Sequence, residues 1–347
     1  MKDMLPFLKN RNSVFNICHK LISSLNFCAK RRGREKYGSF FSFQAGIIIL
    51  LFSIFSFSCE EDNNLERFHL DIIKFPNRLN DFSLWQLDAF QQEVQMGYIL
   101  KSDDGKVTVV DGGGVSSSIM VESYIIQLGG NVDTWIITHP HPDHMGALLE
   151  ILKRKKIKID LIVHSKLDED WVKLHETKYL EDVKRFYLEL RKSKIPELDP
   201  SVMDVFSIGE NVELTILGVR NEEIVDNAIN NSSLVFKISS KYKSVLFTGD
   251  LGWEGGDKIL KELVKEELKV DYVQMAHHGQ NGVGFNFYEA VNPCYLLWPT
   301  PEWLWENSVD GIANSGKFQT LIVREWMHSL GIKRNYVSGL DQTIQID

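Results

Sequence analysis

Cysteine is scarce in this chain: four residues in 347, at positions 18, 28, 59 and 294. Three of them fall within the first 59 residues, so the remainder holds a single thiol, Cys294. A single thiol can build neither a disulfide framework nor a cysteine-based zinc site. Positive charge is equally lacking beyond the N-terminal segment. Nine of the 39 Lys and Arg and two of the 47 Asp and Glu lie within residues 1–58, which leaves 30 basic against 45 acidic residues and a net charge of −15. A body this acidic repels polyanions, so long nucleic acid is not an expected partner. Internal repeats and composition-biased linkers are absent as well, which makes one domain over residues 69–347 the economical reading.

Apolar runs of membrane-spanning length occur once. The basic cluster "AKRRGREKYGSF" precedes "FFSFQAGIIILLFSIFSFSCEEDNN", whose apolar part covers 40–58, 19 residues, enough for a helix to cross a bilayer. A buried core helix would keep a polar stripe, and this segment has none. Basic flank, apolar segment and small residues ahead of a cysteine read as an export signal. "SFSC" before acidic residues resembles a bacterial lipoprotein signal, in which Cys59 becomes the lipidated first residue; the long leader leaves a retained transmembrane anchor as the alternative. Residues 1–59 are therefore expected to be a leader or anchor and 60–68 a polar tether, with the body held at the bacterial cell envelope outside the cytoplasm. Protein partners are not specified by any of these features.

From residue 69 onward strand-like and helix-like segments alternate. "FSLWQLDAF", "GYIL" and "VTVVD" read as strands, the last two joined by a turn at "SDDGK". "MVESYIIQLGG" and "DHMGALLEILKRKK" read as helices, the second opened by Asp143 and closed by basic residues. Between them lies "VDTWIITH", an apolar strand. Further strands are expected at "KIDLIVH", "NVELTILG", "SSLVFKISS", "KSVLFTGD", "VDYVQM", "AVNPCYLLWP" and "TIQID". Helices are expected over 169–194, 255–268 and 318–331. Two groups of strands with helices between them imply an α/β protein with two sheets packed face to face and helices outside.

The chemistry concentrates in "THPHPDHMGAL", where His139, His141, Asp143 and His144 occupy six consecutive positions between a buried strand and a helix. Imidazoles and a carboxylate converging on a strand-to-helix loop suit a divalent metal such as zinc with a position left for water. Other candidate groups also end strands: Asp111 in "VTVVDGGG", Asp250 in "LFTGD", and His277 and His278 in "VQMAHHG". Each alone has an ordinary explanation as a cap or loop residue. Their shared place at strand ends is what links them.

These motifs, in this order, resemble the metallo-β-lactamase fold hydrolases across nearly all of residues 84–300. "THPHPDHMGAL" matches the His-x-His-x-Asp-His motif, "VVDGGG" the Asp-bearing loop before it, "FTGD" the bridging Asp and "AHHG" the last His. "NNSSLVFKI", "FTGDL" and "AHHGQNGVGF" look most like the branch containing the hydrolase domain of ComEC-like DNA-uptake proteins. The resemblance implies a four-layer αββα fold of two mixed sheets and a site for one or two zinc ions per chain, with Mn2+ or Fe2+ as other occupants. It would place His139 and His141 on one ion, Asp143, His144 and His277 on the other, and Asp250 between them. Asp111 would orient ligand imidazoles. Asp143 would also help orient the nucleophile, and His278 would face substrate, stabilising charge or protonating the leaving group. Many members carry a further His ahead of the bridging Asp. Here that interval offers His164 and His175, and the expected region reads "DNAINNSS", so water or Asn231 would complete the first site.

The implied function is metal-assisted hydrolysis of a small phosphodiester or phosphate-bearing envelope component. Lactone or β-lactam hydrolysis is the first alternative. A non-enzymatic, ligand-binding lipoprotein is the second, with Trp298, Trp303 and Trp305 in "LLWPTPEWLWENS" either lining a cleft or covering the core.

Overall fold

The computed structural model describes residues 68–72 and 81–346, all within a compact unit spanning 64–347. The leader expected over 1–59 lies outside the described residues. So does the tether except for its last residue, Phe68, whose ring meets Phe90 and Tyr124 edge-on at 5.6 and 6.4 Å. Among the described residues no helix is long and apolar enough to cross a membrane.

The chain begins with a meander of β1 (Phe82–Gln86), β2 (Gly97–Ser102) and β3 (Val107–Asp111). Helix α1 (Ser118–Gln127), β4 (Asn131–Val132), β5 (Thr134–Ile137) and α2 (Pro142–Arg154) follow. Next come β6 (Lys158–Ile159), β7 (Ile162–His164), α3 (Glu169–His175), α4 (Leu180–Ser193) and β8 (Glu197–Leu198). The second half opens with β9 (Val205–Gly209), β10 (Val212–Gly218), α5 (Ala228–Asn231), β11 (Val235–Ser239) and β12 (Ser244–Phe247). It continues through α6 (Trp253–Glu262), α7 (Lys265–Leu268), β13 (Tyr272–Gln274), α8 (Phe285–Val291) and β14 (Tyr295–Trp298). The last elements are α9 (Glu302–Trp305), α10 (Thr320–Ser329), β15 (Arg334–Val337), α11 (Ser338–Asp341) and β16 (Ile344–Ile346).

Two seven-stranded mixed sheets result, ordered β16-β1-β2-β3-β5-β7-β8 and β15-β14-β13-β12-β11-β10-β9. In the first, pairing is antiparallel up to β3 and parallel from β3 through β8. In the second, it is antiparallel from β9 to β12 and parallel from β12 to β15. Strand alternation explains the layers. Trp135 and Ile137 on β5 point to the helix side, packing with Met120, Leu148 and Val183, while Ile136 between them joins Phe236 and Phe247 of the other sheet. The outer face of the second sheet, with Leu246 and Val273, is covered by Ile259, Phe287 and Met327. The architecture is therefore the expected αββα sandwich, its middle layer sealed by apolar residues from both sheets.

Local departures have identifiable causes. The helix expected over 169–194 breaks at Glu176, whose backbone leaves the helical region (φ −145°, ψ 53°) while its carboxylate accepts a hydrogen bond from Ile229 N at 2.8 Å. A 3-10 turn at Thr177–Tyr179 then restarts the chain into α4. The segment 255–268 likewise divides into α6 and α7 at extended residues Leu263 and Val264. Helix α2 starts at Pro142, one residue before Asp143, with proline in the first turn where no amide is required. Edge strands β9 and β15 were not foreseen, because their exposed positions leave a weak apolar pattern.

Helix α2 crosses the loop after β3 at backbone contact: Ala147 N donates to Gly113 O at 3.0 Å. A Cβ on Gly146 would lie 2.7 Å from Val115 N and 2.9 Å from Gly114 C. Gly146→Ala is therefore expected to cost about 1–3 kcal/mol by overpacking. Thermal unfolding should show a fall of a few degrees in Tm, and an unchanged Tm would mean that the loop yields freely.

Candidate metal centre

Each sheet changes from antiparallel to parallel pairing at one place, between β3 and β5 and between β12 and β13. The C-terminal ends of these four strands carry the candidate residues, as ligand sites in α/β sheets generally do. Two buried side chains fix the loops there in the same way. Asp111, ending β3, accepts from Thr138 N at 2.7 Å and Thr138 Oγ1 at 2.9 Å. Gln274, ending β13, accepts through Oε1 from Thr248 N at 2.8 Å and Thr248 Oγ1 at 3.0 Å. Thr138 immediately precedes His139, and Thr248 lies two residues before Asp250. Neither threonine nor Gln274 stood out in the sequence, since a Thr or Gln at a strand end carries no distinctive pattern.

Asp143, His144, Asp250 and His278 come together, each offering one ligand atom, with all four atoms within 4.8 Å of one another. Asp250 Oδ2 lies 3.3 Å from His144 Nε2 and 3.4 Å from His278 Nε2. Asp143 Oδ2 lies 3.2 Å from His278 Nε2 and 3.7 Å from His144 Nε2. Zinc bonds of about 2.0–2.1 Å at tetrahedral angles separate donors by about 3.3–3.4 Å. The four contacts bracket that spacing. His278, expected to face substrate, thus holds the place expected for His277. The reason lies in the backbone: both residues are left-handed (φ 51° and 56°), which carries His278 inward to 1% exposure and leaves His277 nearer the rim.

The imidazoles are aimed by partners on their far nitrogens. His144 Nδ1 meets Asp111 Oδ2 at 2.8 Å, and His278 Nδ1 meets Pro299 O at 2.8 Å. A proton held on Nδ1 by an oxygen acceptor leaves the Nε2 lone pair facing inward. His139 Nδ1 faces the hydroxyls of Thr138 and Ser233 at 3.1 and 3.4 Å, and its Nε2 lies 3.0 Å from His141 Nδ1. His139 Nε2 is also 3.9 Å from Asp250 Oδ2. Asp111, expected to orient a ligand imidazole, lies against Nδ1 of His144. Asn231 does not face the cluster. Its Oδ1 accepts from Gly252 N and Gly255 N at 3.1 and 3.0 Å, and its Nδ2 donates to Asp226 O at 3.0 Å, so it braces the loop after Asp250 instead.

Three atoms at the centre test whether an ion fits. His144 Nε2, His278 Nε2 and Asp250 Oδ1 are buried and make no hydrogen bond, despite their short approaches to opposite charge. Donors packed at ligand spacing without hydrogen-bond alignment are what a divalent ion would satisfy. Burial disfavours charge on His278, but Asp250 and Asp143 outweigh it and push its pKa up to about 10. His144 is raised well above its ordinary value in the same way, by Asp250, Asp143 and Asp111 against burial. Asp143 is held down at about 2 and Asp250 is lowered well below the carboxylate range, the neighbouring imidazoles overriding burial. Without an ion, protons on His144 and His278 therefore balance the carboxylates, and a cation would take their place. Burial and the neighbouring imidazoles hold His139 well below, and His141 at about 4, so those two stay neutral and keep lone pairs.

The other residues singled out lie elsewhere. His164 is buried against Phe186 and Tyr187, with Nε2 3.1 Å from Glu197 Oε2. His175 is half-buried on α3 beside Trp171. Trp298 is fully buried, edge-on to Trp305 at 5.0 Å, with Gly279 pressed against its ring, and Trp303 donates to Gln92 O at 2.8 Å. Trp298 thus supports the His278 loop from below. Tyr179, which sequence reasoning missed, packs on His141 with ring centroids 4.0 Å apart, and Lys178 Nζ lies 4.4 Å from its ring.

A family model described as the Metallo-beta-lactamase superfamily matches residues 93–309, an interval containing every residue of the centre. The ComE operon protein 3 of Bacillus subtilis (strain 168) is similar at 28% identity over 170 residues, 47% of this chain and 19% of that protein. The match therefore spans about a fifth of that relative's length. Among solved structures, the metallo-beta-lactamase fold protein YhfI from Bacillus subtilis is similar at 12% identity and TM-score 0.48, over 77% of this chain and 100% of that one. Igni18, a metallo hydrolase from the archaeon Ignicoccus hospitalis, is similar at 14% identity and TM-score 0.47, over 77% and 99%.

Asp111→Asn keeps the shape but removes the charge that orients His144. Metal affinity, read by competition with a chromophoric chelator, is expected to fall about 10–100-fold. Equal affinity would show that His144 needs no such partner.

Proposed function

The chain belongs to the metallo-beta-lactamase superfamily, and on that premise we propose that it is a metal-dependent hydrolase. The observation that carries the reading is the buried group of Asp143, His144, Asp250 and His278, with two unpaired Nε2 atoms directed at shared carboxylate oxygens. Asp143, His144, Asp250 and His278 would hold a divalent ion, which would supply Lewis-acid chemistry, lowering the pKa of water from about 15.7 toward about 7.

The protein's own residues supply the rest. Asp143 is the most open of the four, its side chain 33% exposed, so its carboxylate is the one placed to orient an entering water. Asp111, Thr138 and Pro299 hold the imidazoles in one tautomer, so the site needs no rearrangement when substrate arrives. Tyr179 covers His141 and limits solvent on that side.

The substrate class proposed is a small phosphodiester or phosphate-bearing molecule. Its support is the ComEC-like sequence pattern, the similarity to ComE operon protein 3 and the cation of Lys178 above Tyr179. A net charge of −15 beyond residue 58 weighs against long polyanions. Zinc is the proposed metal, and anchoring through Cys59 at a bacterial envelope is the proposed location.

Turnover of bis-p-nitrophenyl phosphate, a simple lactone and nitrocefin separates the substrate classes. Phosphodiester turnover is expected to exceed the other two. Asp250→Ala should abolish it, by more than the ~10–100-fold that loss of an outer partner costs, while circular dichroism stays that of the folded chain. Full activity in Asp250→Ala would overturn the site, and lactone or nitrocefin turnover alone would overturn the substrate class.

A further inference from the structure

The first ion of a paired site would have His139 Nε2 and His141 Nδ1, 3.0 Å apart, as donors from the loop after β5. Two imidazoles and a shared carboxylate give that ion three protein donors, which leaves a fourth tetrahedral position for water or for a further imidazole. The interval between α2 and β12 does not supply another imidazole. His164 is turned into the packing between β7 and α4, and His175 lies beside Trp171. Asn231 is spent on the Gly252 and Gly255 amides.

One imidazole is placed to fill the gap. His277 Nε2 lies 3.9 Å from Asp250 Oδ2, the same separation that His139 Nε2 has from that oxygen. Its Nδ1 faces the carbonyl of Asn281 at 3.4 Å, so a proton held there leaves the lone pair on Nε2, the nitrogen nearer Asp250. That lone pair accepts from Asn230 Nδ2 at 3.3 Å, an amide that also donates to Asn227 Oδ1 at 3.1 Å and so has a second acceptor to turn to if an ion takes Nε2. Asn230 itself is 4% exposed, and its Oδ1 is buried without a hydrogen bond, an unmet oxygen beside His277.

The backbone explains how neighbouring residues can serve one oxygen. Successive side chains on a strand point to opposite faces, and successive side chains on a helix do not face each other. His277 and His278 are both left-handed (φ 51°, ψ 49° and φ 56°, ψ 25°), and Gly279 follows at φ +79°. Non-glycine residues are strained in that region and persist there where the surroundings or a function require them. Here the two left-handed turns bring both Nε2 atoms to Asp250 Oδ2, at 3.9 and 3.4 Å, with ring centroids 6.2 Å apart.

We propose that the adjacent histidines are divided between two ions: His277 completes the first with His139 and His141, His278 completes the second with Asp143 and His144, and Asp250 Oδ2 joins them. His277 thus replaces the histidine that this chain lacks ahead of Asp250. The proposal rests on the metal-dependent reading above but not on its substrate.

Cobalt(II) titration of the purified full chain, with no substrate present, tests it. Equivalents bound are read by visible absorption, and the electron paramagnetic resonance signal reports whether two ions share a bridging oxygen. Wild type is expected to take two equivalents with a magnetically coupled signal. His277→Asn, which keeps a residue tolerant of left-handed backbone, should take one equivalent tightly, with an uncoupled signal, and His139→Asn should behave alike. The pair His139→Asn/His277→Asn should still bind one ion, because both serve the same one. His277→Gly, free of backbone strain at this position, should match His277→Asn if the imidazole alone matters. Two coupled equivalents in His277→Asn and His277→Gly would overturn the division of the histidines while leaving the hydrolase reading intact. Failure of wild type to bind any cobalt would overturn both.

Discussion

Asp250 is the constraint around which the molecule is arranged. A carboxylate at 2% exposure is costly unless its charge is met, and one of its oxygens has four imidazole nitrogens within 4 Å. Those nitrogens come from two segments far apart in the chain, the loop after β5 and the loop after β13, and Asp250 comes from a third. The charge can be balanced only if both sheets present their strand ends to one point. The apolar layer between the sheets, including Tyr98, Ile136, Phe236 and Phe247, fixes how the two sheets face each other.

Satisfying the loop backbones is the second requirement. Asp111 and Gln274 perform it by the same device, each ending a strand and accepting the amide and hydroxyl of a threonine on the neighbouring strand. The device differs in charge. Gln274 is neutral and serves only the loop, through which it also donates to Gly249 O at 3.0 Å. Asp111 is a carboxylate and has a further task, receiving the Nδ1 proton of His144. One half of the molecule thus stabilises the turn that presents Asp250, and the other both stabilises its turn and aims the His144 imidazole.

Much of this was legible in the residues. "TWIIT" reads as a strand buried on both faces, and Trp135, Ile136 and Ile137 divide between the two sides of the first sheet as period-two alternation requires. His139, His141, Asp143, His144 and Asp250 were recognisable because polar groups at the mouth of apolar strands have few structural explanations. Other features were not legible. The break at Glu176 depends on a hydrogen bond to Ile229, 53 residues away, which no local propensity encodes. Asn231 looked available because an amide can approach a metal, but the glycine amides after Asp250 had already claimed it. Tyr179 is an unremarkable helix-flanking tyrosine until α3 and α4 bend it onto His141.

The sequence by itself determined the α/β class, the strand ends that carry the chemistry and the residue types gathered there, because hydrophobic period and side-chain chemistry are local properties. Which of two adjacent histidines enters the inner group was decided only by the tertiary structure. Identical side chains one residue apart differ in nothing but backbone direction, and that direction comes from consecutive left-handed residues, Gly279 packed against Trp298 and the carbonyl of Pro299. Each of these depends on β14 lying beside β13, a long-range pairing that acquires meaning only once the second sheet has formed.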